Sequence, residues 1–256
     1  MSTFFTIPKS IVSKDYEKNK PRIIPYIIHQ TFKTNIVPLN MFRAAQSWFK
    51  TNPNYNYNFY DDNDIEIIIR HFNTDDFHIS RNQLWSAYNL MNTGAGKADL
   101  FRYIILYNEG GCYFDIDTMC IKAIDTYIDT DDELVSGIGE RGDLHQWGMI
   151  YKKKHPFVKR AIELSVYNIL KRRFIKYKSL EGLTGPPCLD MAIKLISNLP
   201  IEYRFKPGKY TINNFLFHVL NGNYFGNNVI FKYKGYNEDL QLMKMKHWGK
   251  NSIFTI

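Results

Sequence analysis

Asp115 and Asp117 flank Ile116 directly after the apolar run Cys112-Tyr113-Phe114. On a regular strand, residues two apart point to one face, so both carboxylates would be presented together with Ile116 turned into the core. Hard oxygen ligands of this kind bind magnesium or manganese, and a cation so held neutralises charge on a departing diphosphate. Upstream, Asp99 and Arg102 stand three apart in a helix-forming stretch, so they project from one side and can reach the same ligand. A DxD pair alone is a common accident whose bland reading is a solvated turn. Its weight here comes from context.

The context is an ordered set of elements. Lys97 to Glu109 is helix-forming and apolar around most of its circumference. Gly110-Gly111 then ends the helix, because glycine readily takes the left-handed conformation of a C-cap. A short apolar strand follows and delivers the acidic pair at its tip. Earlier, Tyr26-Ile27-Ile28 suits a buried strand whose carboxyl end, His29-Gln30-Thr31, opens into a loop. The spacing of Met41, Ala44, Ala45, Trp48 and Phe49 predicts a helix over 38–50, with Pro38 in its first turn. Asn52-Pro53-Asn54 signals a turn, and Tyr55, Tyr57 and Phe59 alternate with the period of a strand. Asp61 to Asp64 offers N-cap candidates for a helix carrying Ile65, Ile68 and Ile69. Strands alternating with helices imply an α/β fold with a mostly parallel central sheet flanked by helices, and ligands beyond the carboxyl ends of its strands. The charged, proline-containing stretch from Lys14 to Pro25 reads as an arm. The expected organisation is an N-terminal arm, 1–21, and a single domain, 22–256.

Composition narrows the classes. With 256 residues and 45% apolar content the chain can bury a sizeable core. It contains no run of apolar residues long enough to span a bilayer and no secretory leader pattern, so a cytoplasmic protein is expected. Three cysteines without a CxxC pair, Cys112, Cys120 and Cys188, suggest buried thiols and not a disulfide framework or a thiolate zinc site. The net charge of +8 invites a nucleic-acid or membrane partner. However, the densest basic stretches, Lys152 to Lys154 and Lys171 to Lys178, are interleaved with apolar residues at near-helical spacing. They read as a solvated helix face, leaving peripheral membrane contact as the lesser alternative and no nucleic-acid partner.

The block GxxKADLFRYIILYNEGGCYFDIDT resembles the signature of glycosyltransferase family 32, which includes fungal initiating mannosyltransferases and bacterial capsule enzymes. IPYIIHQTFKT is similar to that family's opening strand, SWFKTNPNYNYNFYDD to its second helix and strand, TGPP at Thr184 to Pro187 to a later loop, and HWGKNS at His247 to Ser252 to its C-terminal motif. The resemblance implies a GT-A fold, a UDP- or GDP-hexose donor, a glycan or glycoprotein acceptor, a manganese or magnesium ion, and retaining transfer. Carried over by position, Asp99 and Arg102 contact the donor sugar, Asp115 meets donor hydroxyls and the metal, and Asp117 binds the metal directly. His29, Gln30 and Thr31 line the nucleotide pocket, His247 completes the metal site, and Lys250 and Ser252 approach the donor. The motif departs from the family at Ser252-Ile253, where Ser-Trp is usual, and no Asn is obvious around Gln146-Trp147-Gly148.

A nucleotidyltransferase also pairs acidic residues with a metal, but it generally needs a further carboxylate on a neighbouring strand, and no convincing acidic motif occupies the second half of the chain. A non-catalytic carbohydrate-binding protein of the same fold is the reading from a different class. Joint retention of Asp99, Arg102, Asp115, Asp117 and His247 speaks against it. The lack of an anchor segment, with heavy use of Asn, Ile, Lys and Tyr, fits a bacterial or viral source, the latter acting in host cytoplasm.

Overall fold

The computed structural model describes residues 4–16, 20–139, 142–171, 180–221, 223–245 and 254. In chain order, the first half holds β1 (Phe4–Thr6), β2 (Ser10–Ile11), β3 (Ile27–Thr31), β4 (Ile36–Pro38), α1 (Leu39–Thr51), β5 (Asn56–Tyr60), α2 (Asp62–His71), α3 (Arg81–Leu90), α4 (Gly94–Glu109), β6 (Gly111–Phe114) and β7 (Thr118–Cys120). The second half holds β8 (Leu134–Ser136), β9 (Gly148–Tyr151), α5 (Pro156–Leu170), α6 (Leu180–Thr184), α7 (Pro186–Ser197), β10 (Gly208–Ile212), β11 (Phe215–Val219), β12 (Val229–Phe231) and α8 (Tyr236–Leu242).

Eight strands form the central sheet in the order β10-β11-β8-β9-β6-β3-β5-β2. Its pairings make β3, β5, β6, β8 and β11 run one way and β2, β9 and β10 the other. The expected α/β fold with a mostly parallel sheet is therefore present, with β9 inserted antiparallel beside the acidic motif. The chain passes from β3 to β5 on one side and returns to β6 on the other. That reversal makes the carboxyl ends of β3 and β6 the topological switch point of the sheet, where open α/β sheets bind ligands.

Helices cover both faces. Tyr113 of β6 and Met149 and Tyr151 of β9 face a core built with α2 to α7, including Leu100, Phe101 and Ile104. Cys112, Phe114 and Ile150 face the opposite core with Trp48 of α1 and Tyr57 and Phe59 of β5. Trp48 stacks on Phe114 at 3.9 Å between ring centroids and donates its indole N–H to Thr118 O. The ribbon β7/β12 lies against this second layer, with Val229 paired to Cys120 and Phe231 to Thr118.

The helix signals act as read from the sequence, with shifted boundaries. Asp61 caps α2, and its side chain and that of Asp64 form a reciprocal capping box. Pro38 is the N-cap of α1 and closes β4, one residue ahead of the expected first turn. Thr93 caps α4, which starts at Gly94, three residues before the expected start, and the helix ends on Gly110 at φ +66°. Helix α3 was not anticipated, although Ser80 and Gln83 carry its capping box. The segment before residue 22 is not simply an arm: β1 pairs with β4, β2 forms the sheet edge against β5, and Ile7 is fully buried. Cys112, Cys120 and Cys188 are buried free thiols, as expected. Residues 172–179, part of the basic stretch, lie outside the described residues.

Candidate active site at the tip of β6

After Phe114 the backbone leaves the sheet in a tight turn. Asp115 N donates to Trp147 O at 2.8 Å, and Thr118 N and Oγ1 donate to Asp115 O at 3.1 and 2.6 Å. The acidic pair thus occupies a β-turn and not a continuing strand, which corrects the alternation argument even though Ile116 is buried as expected. From the neighbouring strand, Gln30 Nε2 donates to Phe114 O and Asp115 O at 3.4 and 3.3 Å, while its Oε1 accepts from Tyr57 Oη at 3.0 Å. The turn is therefore tied down from β3 and β9, its neighbours on either side.

Helix α4 supplies the charge beneath it. Arg102 Nη2 donates to Asp115 Oδ1 at 2.8 Å, and Nη1 lies 3.2 Å from Asp99 Oδ1 and donates to Gln146 O at 3.2 Å. Tyr113 Oη also donates to Asp115 Oδ1, at 2.9 Å. Asp99 Oδ2 accepts from Thr184 Oγ1 at 2.7 Å, and Gln146 and Tyr103 close the network through Thr184 O. Burial pushes the Asp99 carboxyl up to about 6 against the pull of Arg102 and Thr184. The Asp115 carboxyl is likewise raised by burial, opposed by Arg102 and the Tyr113 hydroxyl.

Asp117 is placed differently. It is 8% exposed, yet its Oδ1 has no hydrogen-bond partner among the described residues. Burial and then the Asp115 charge raise its carboxyl, with Lys232 and Arg102 acting the other way. Asp117 O accepts from Tyr233 N at 3.1 Å, which brings the end of β12 alongside. Asp99 and Asp115 thus flank one guanidinium, while Asp117 stands near Asp115 with Lys232 and Arg102 as the cations that act on it. Orphaned Asp117 Oδ1 is the feature expected of a group whose partner is a hard cation. The donor set at Asp115 and Asp117, carboxylate oxygens, suits a hard divalent ion by its chemistry.

The site gathers Asp99, Arg102, Asp115 and Asp117, as their spacing suggested. His29 is fully buried and contributes from beneath: Nε2 donates to Gly110 O at 3.0 Å, so Nδ1 accepts from Tyr60 Oη at 3.0 Å. Neither ring nitrogen is left for a nucleotide, and Gln30 is spent on the strand tip in the same way. Thr31 is 6% exposed and donates to Tyr60 O. All three side chains are engaged in hydrogen bonds within the protein. His247, Lys250 and Ser252 lie outside the described residues. Sequence reasoning missed Tyr113, Gln146 and Lys232, which reach the site through strand pairing and long-range packing. Thr184 was noted only within its loop; in the structure it ends α6, and Gly185 caps α7.

A separate group, Asp129, Asp132 and His218, brings ligand atoms within 4.8 Å of one another near the start of β8 and in β11. Lys209 Nζ already lies 2.7 and 3.3 Å from Asp129 and Asp132, so this cluster carries its own cation.

Residues 38–151 match the family described as "Glycosyltransferase sugar-binding region containing DXD motif". A mannosyl phosphorylinositol ceramide synthase of Saccharomyces cerevisiae is 30% identical over 191 residues, covering 73% of this chain and 46% of that protein. An initiation-specific alpha-1,6-mannosyltransferase of Candida albicans is 29% identical over 161 residues, covering 58% of this chain and 40% of that one. The chain thus spans less than half the length of these relatives. Among solved structures, PaToxG glycosyltransferase aligns over 71% of this chain and 72% of its own at 20% identity, with a TM-score of 0.49. Among the described residues no helix is long and apolar enough to cross a membrane.

Proposed function

We propose that this chain, which belongs to the glycosyltransferase family defined by a DXD-containing sugar-binding region, transfers a hexose from a nucleotide-diphosphate sugar to a hydroxyl acceptor. Mannose is the hexose suggested by the names of its fungal relatives. The observation that carries the reading is the buried, unpartnered Asp117 Oδ1 beside Asp115, within a site whose carboxylates outnumber its one guanidinium.

Asp115 and Asp117 would hold the divalent ion, with His247 as the third protein ligand. When bound, the ion supplies positive charge to the diphosphate leaving group. Arg102 is committed to Asp99 and Asp115, so its role is to fix two carboxylates in place. That preorganisation leaves Asp115 Oδ2 to meet the ion, because Oδ1 is taken by Arg102 and Tyr113. Asp99, held by Thr184, orients donor hydroxyls and adds negative potential near an oxocarbenium-like centre. The acceptor hydroxyl attacks from the face the leaving group departs, a donor phosphate oxygen takes its proton, and configuration is retained.

Purified protein presented with a panel of nucleotide hexoses and manganese should release nucleoside diphosphate from at least one of them. Asp117→Asn should lower that rate by more than about 10²-fold while the protein stays folded. Undiminished turnover in the variant removes the role given to Asp117.

A further inference from the structure

The ribbon β7/β12 runs up to the acidic turn. Phe231 pairs with Thr118, and two residues further on Tyr233 N donates to Asp117 O at 3.1 Å. Lys232 lies between these two anchors, so by register it stands across from Asp117, where neighbours on paired chains interact through their side chains. At Lys232 the backbone takes φ +54°, which ends the extended run of β12 and begins the turn toward α8. The segment is fixed on its far side as well. Tyr233 Oη donates to Asp239 Oδ2 at 2.8 Å, and the same oxygen accepts from Met41 N, in the first turn of α1, at 2.9 Å.

Two cations act on Asp117, and they differ in what else they hold. Arg102 is committed to Asp99, Asp115 and Gln146 O. Lys232 is exposed, and among the described residues its Nζ makes no hydrogen bond or ion pair; it rests 5.4 Å from the Phe231 ring centroid. Its charge nevertheless reaches the acidic turn. Burial and then the Asp115 charge raise the Asp117 carboxyl, and of the charges that oppose this rise Lys232 stands ahead of Arg102. An anchored backbone thus presents a free ammonium on a flexible stem beside the carboxylate whose Oδ1 is unpartnered.

Resting on the transferase reading, we propose that Lys232 binds the diphosphate of the nucleotide-sugar donor, and that the divalent ion frees it for this role by taking over the charge of Asp117. A diphosphate brings negative charge to a site that already holds Asp115 and Asp117, so it needs cations on its own side besides the ion those carboxylates share. Arg102 cannot serve without giving up both its carboxylates. Lysine suits the task, being a compact point charge on a mobile stem that meets phosphate oxygens without a fixed approach. In the metal-free chain the ammonium offsets Asp117; with the ion bound, that carboxylate is neutralised and the ammonium is left for the donor.

Isothermal titration calorimetry on the full chain with saturating manganese tests this, with UDP and GDP as the probes. The diphosphate that binds the parent is expected to bind Lys232→Met about tenfold more weakly, the loss of one charge-assisted contact, and Lys232→Arg within about threefold of the parent. Methionine keeps the stem at an exposed position and bears the same left-handed backbone, so the thermal melt should superimpose on the parent's. Without nucleotide, manganese should bind Lys232→Met as tightly as the parent or more tightly, because the ammonium no longer competes for Asp117. Equal diphosphate affinity in Lys232→Met and the parent would overturn the assignment. So would weaker manganese binding by the nucleotide-free variant, which would make Lys232 an organiser of the acidic turn, or a parent that binds neither diphosphate. The transferase reading fails separately, when the parent releases no nucleoside diphosphate from any nucleotide hexose.

Discussion

Arg102 lies between Asp99 and Asp115 with 6% of its side chain exposed, and its attraction to both offsets the burial of all three groups. Removing it leaves two carboxylates buried without their cation. Arg102→Leu should therefore destabilise the fold by about 3–5 kcal/mol, measured by urea denaturation, a cost typical of breaking a buried ion pair from one side. Asp117 behaves in the opposite sense. Without metal its charge is buried beside Asp115 and has no hydrogen bond to Oδ1, so its loss relieves repulsion. Asp117→Asn should leave metal-free stability unchanged or raised by about 1 kcal/mol. A large loss of stability there would mean that Asp117 is a structural group. These contrasting outcomes separate the residue that organises the site from the residue that is poised for a ligand.

Two elements hold the site through backbone and cap chemistry. Gly111 starts β6 at φ +93°, and a Cβ would lie 2.5 Å from Ile27 O. Gly111→Ala should cost more than about 1 kcal/mol and weaken the pairing of β6 with β3, read as faster amide exchange at Ile28 and Cys112. Helix α5 begins at His155, whose Nδ1 accepts from Phe157 N at 3.2 Å. Burial and then Lys152 lower this imidazole to about 3. Because the unfolded chain binds the proton more tightly, the neutral-state stability is full above about pH 6.5 and is lost as pH falls toward 3. His155→Asn keeps a capping acceptor but cannot titrate there. Its stability relative to the parent should improve steadily between pH 7 and pH 4 in parallel denaturation curves, and a pH-independent difference would contradict the assignment. At this scale the sequence was most readable where the signal is local. Asp61 before its helix, Gly110-Gly111 after α4, and the acidic pair after an apolar strand all act within a few residues. The turn at 115–118 was not readable, because it is closed by Thr118 and anchored on Trp147 O, a partner that only the β6/β9 register identifies. His29 misled for a related reason: its position at a strand's carboxyl end suggested a lining role, while Tyr60 and Gly110 claim both its nitrogens.

Over the whole molecule, alternation of strand and helix was enough to give the layers and the edge at which a ligand would sit. It was not enough to show that β9 enters antiparallel beside β6, or that β12 folds back to pair with β7. Those two arrivals bring Trp147, Phe231 and Lys232 to the acidic turn from residues far along the chain. The acidic turn and Arg102 beneath it make one charged centre at the carboxyl end of β6. The charge of that centre is the central claim, and metal binding tests it most directly. Titration of manganese into the purified chain in the presence of a nucleoside diphosphate, followed by electron paramagnetic resonance, should show bound ion for the parent and at least about tenfold weaker binding for Asp117→Asn. Equal manganese affinity in the two proteins, or nucleotide binding indifferent to the metal, would contradict the account.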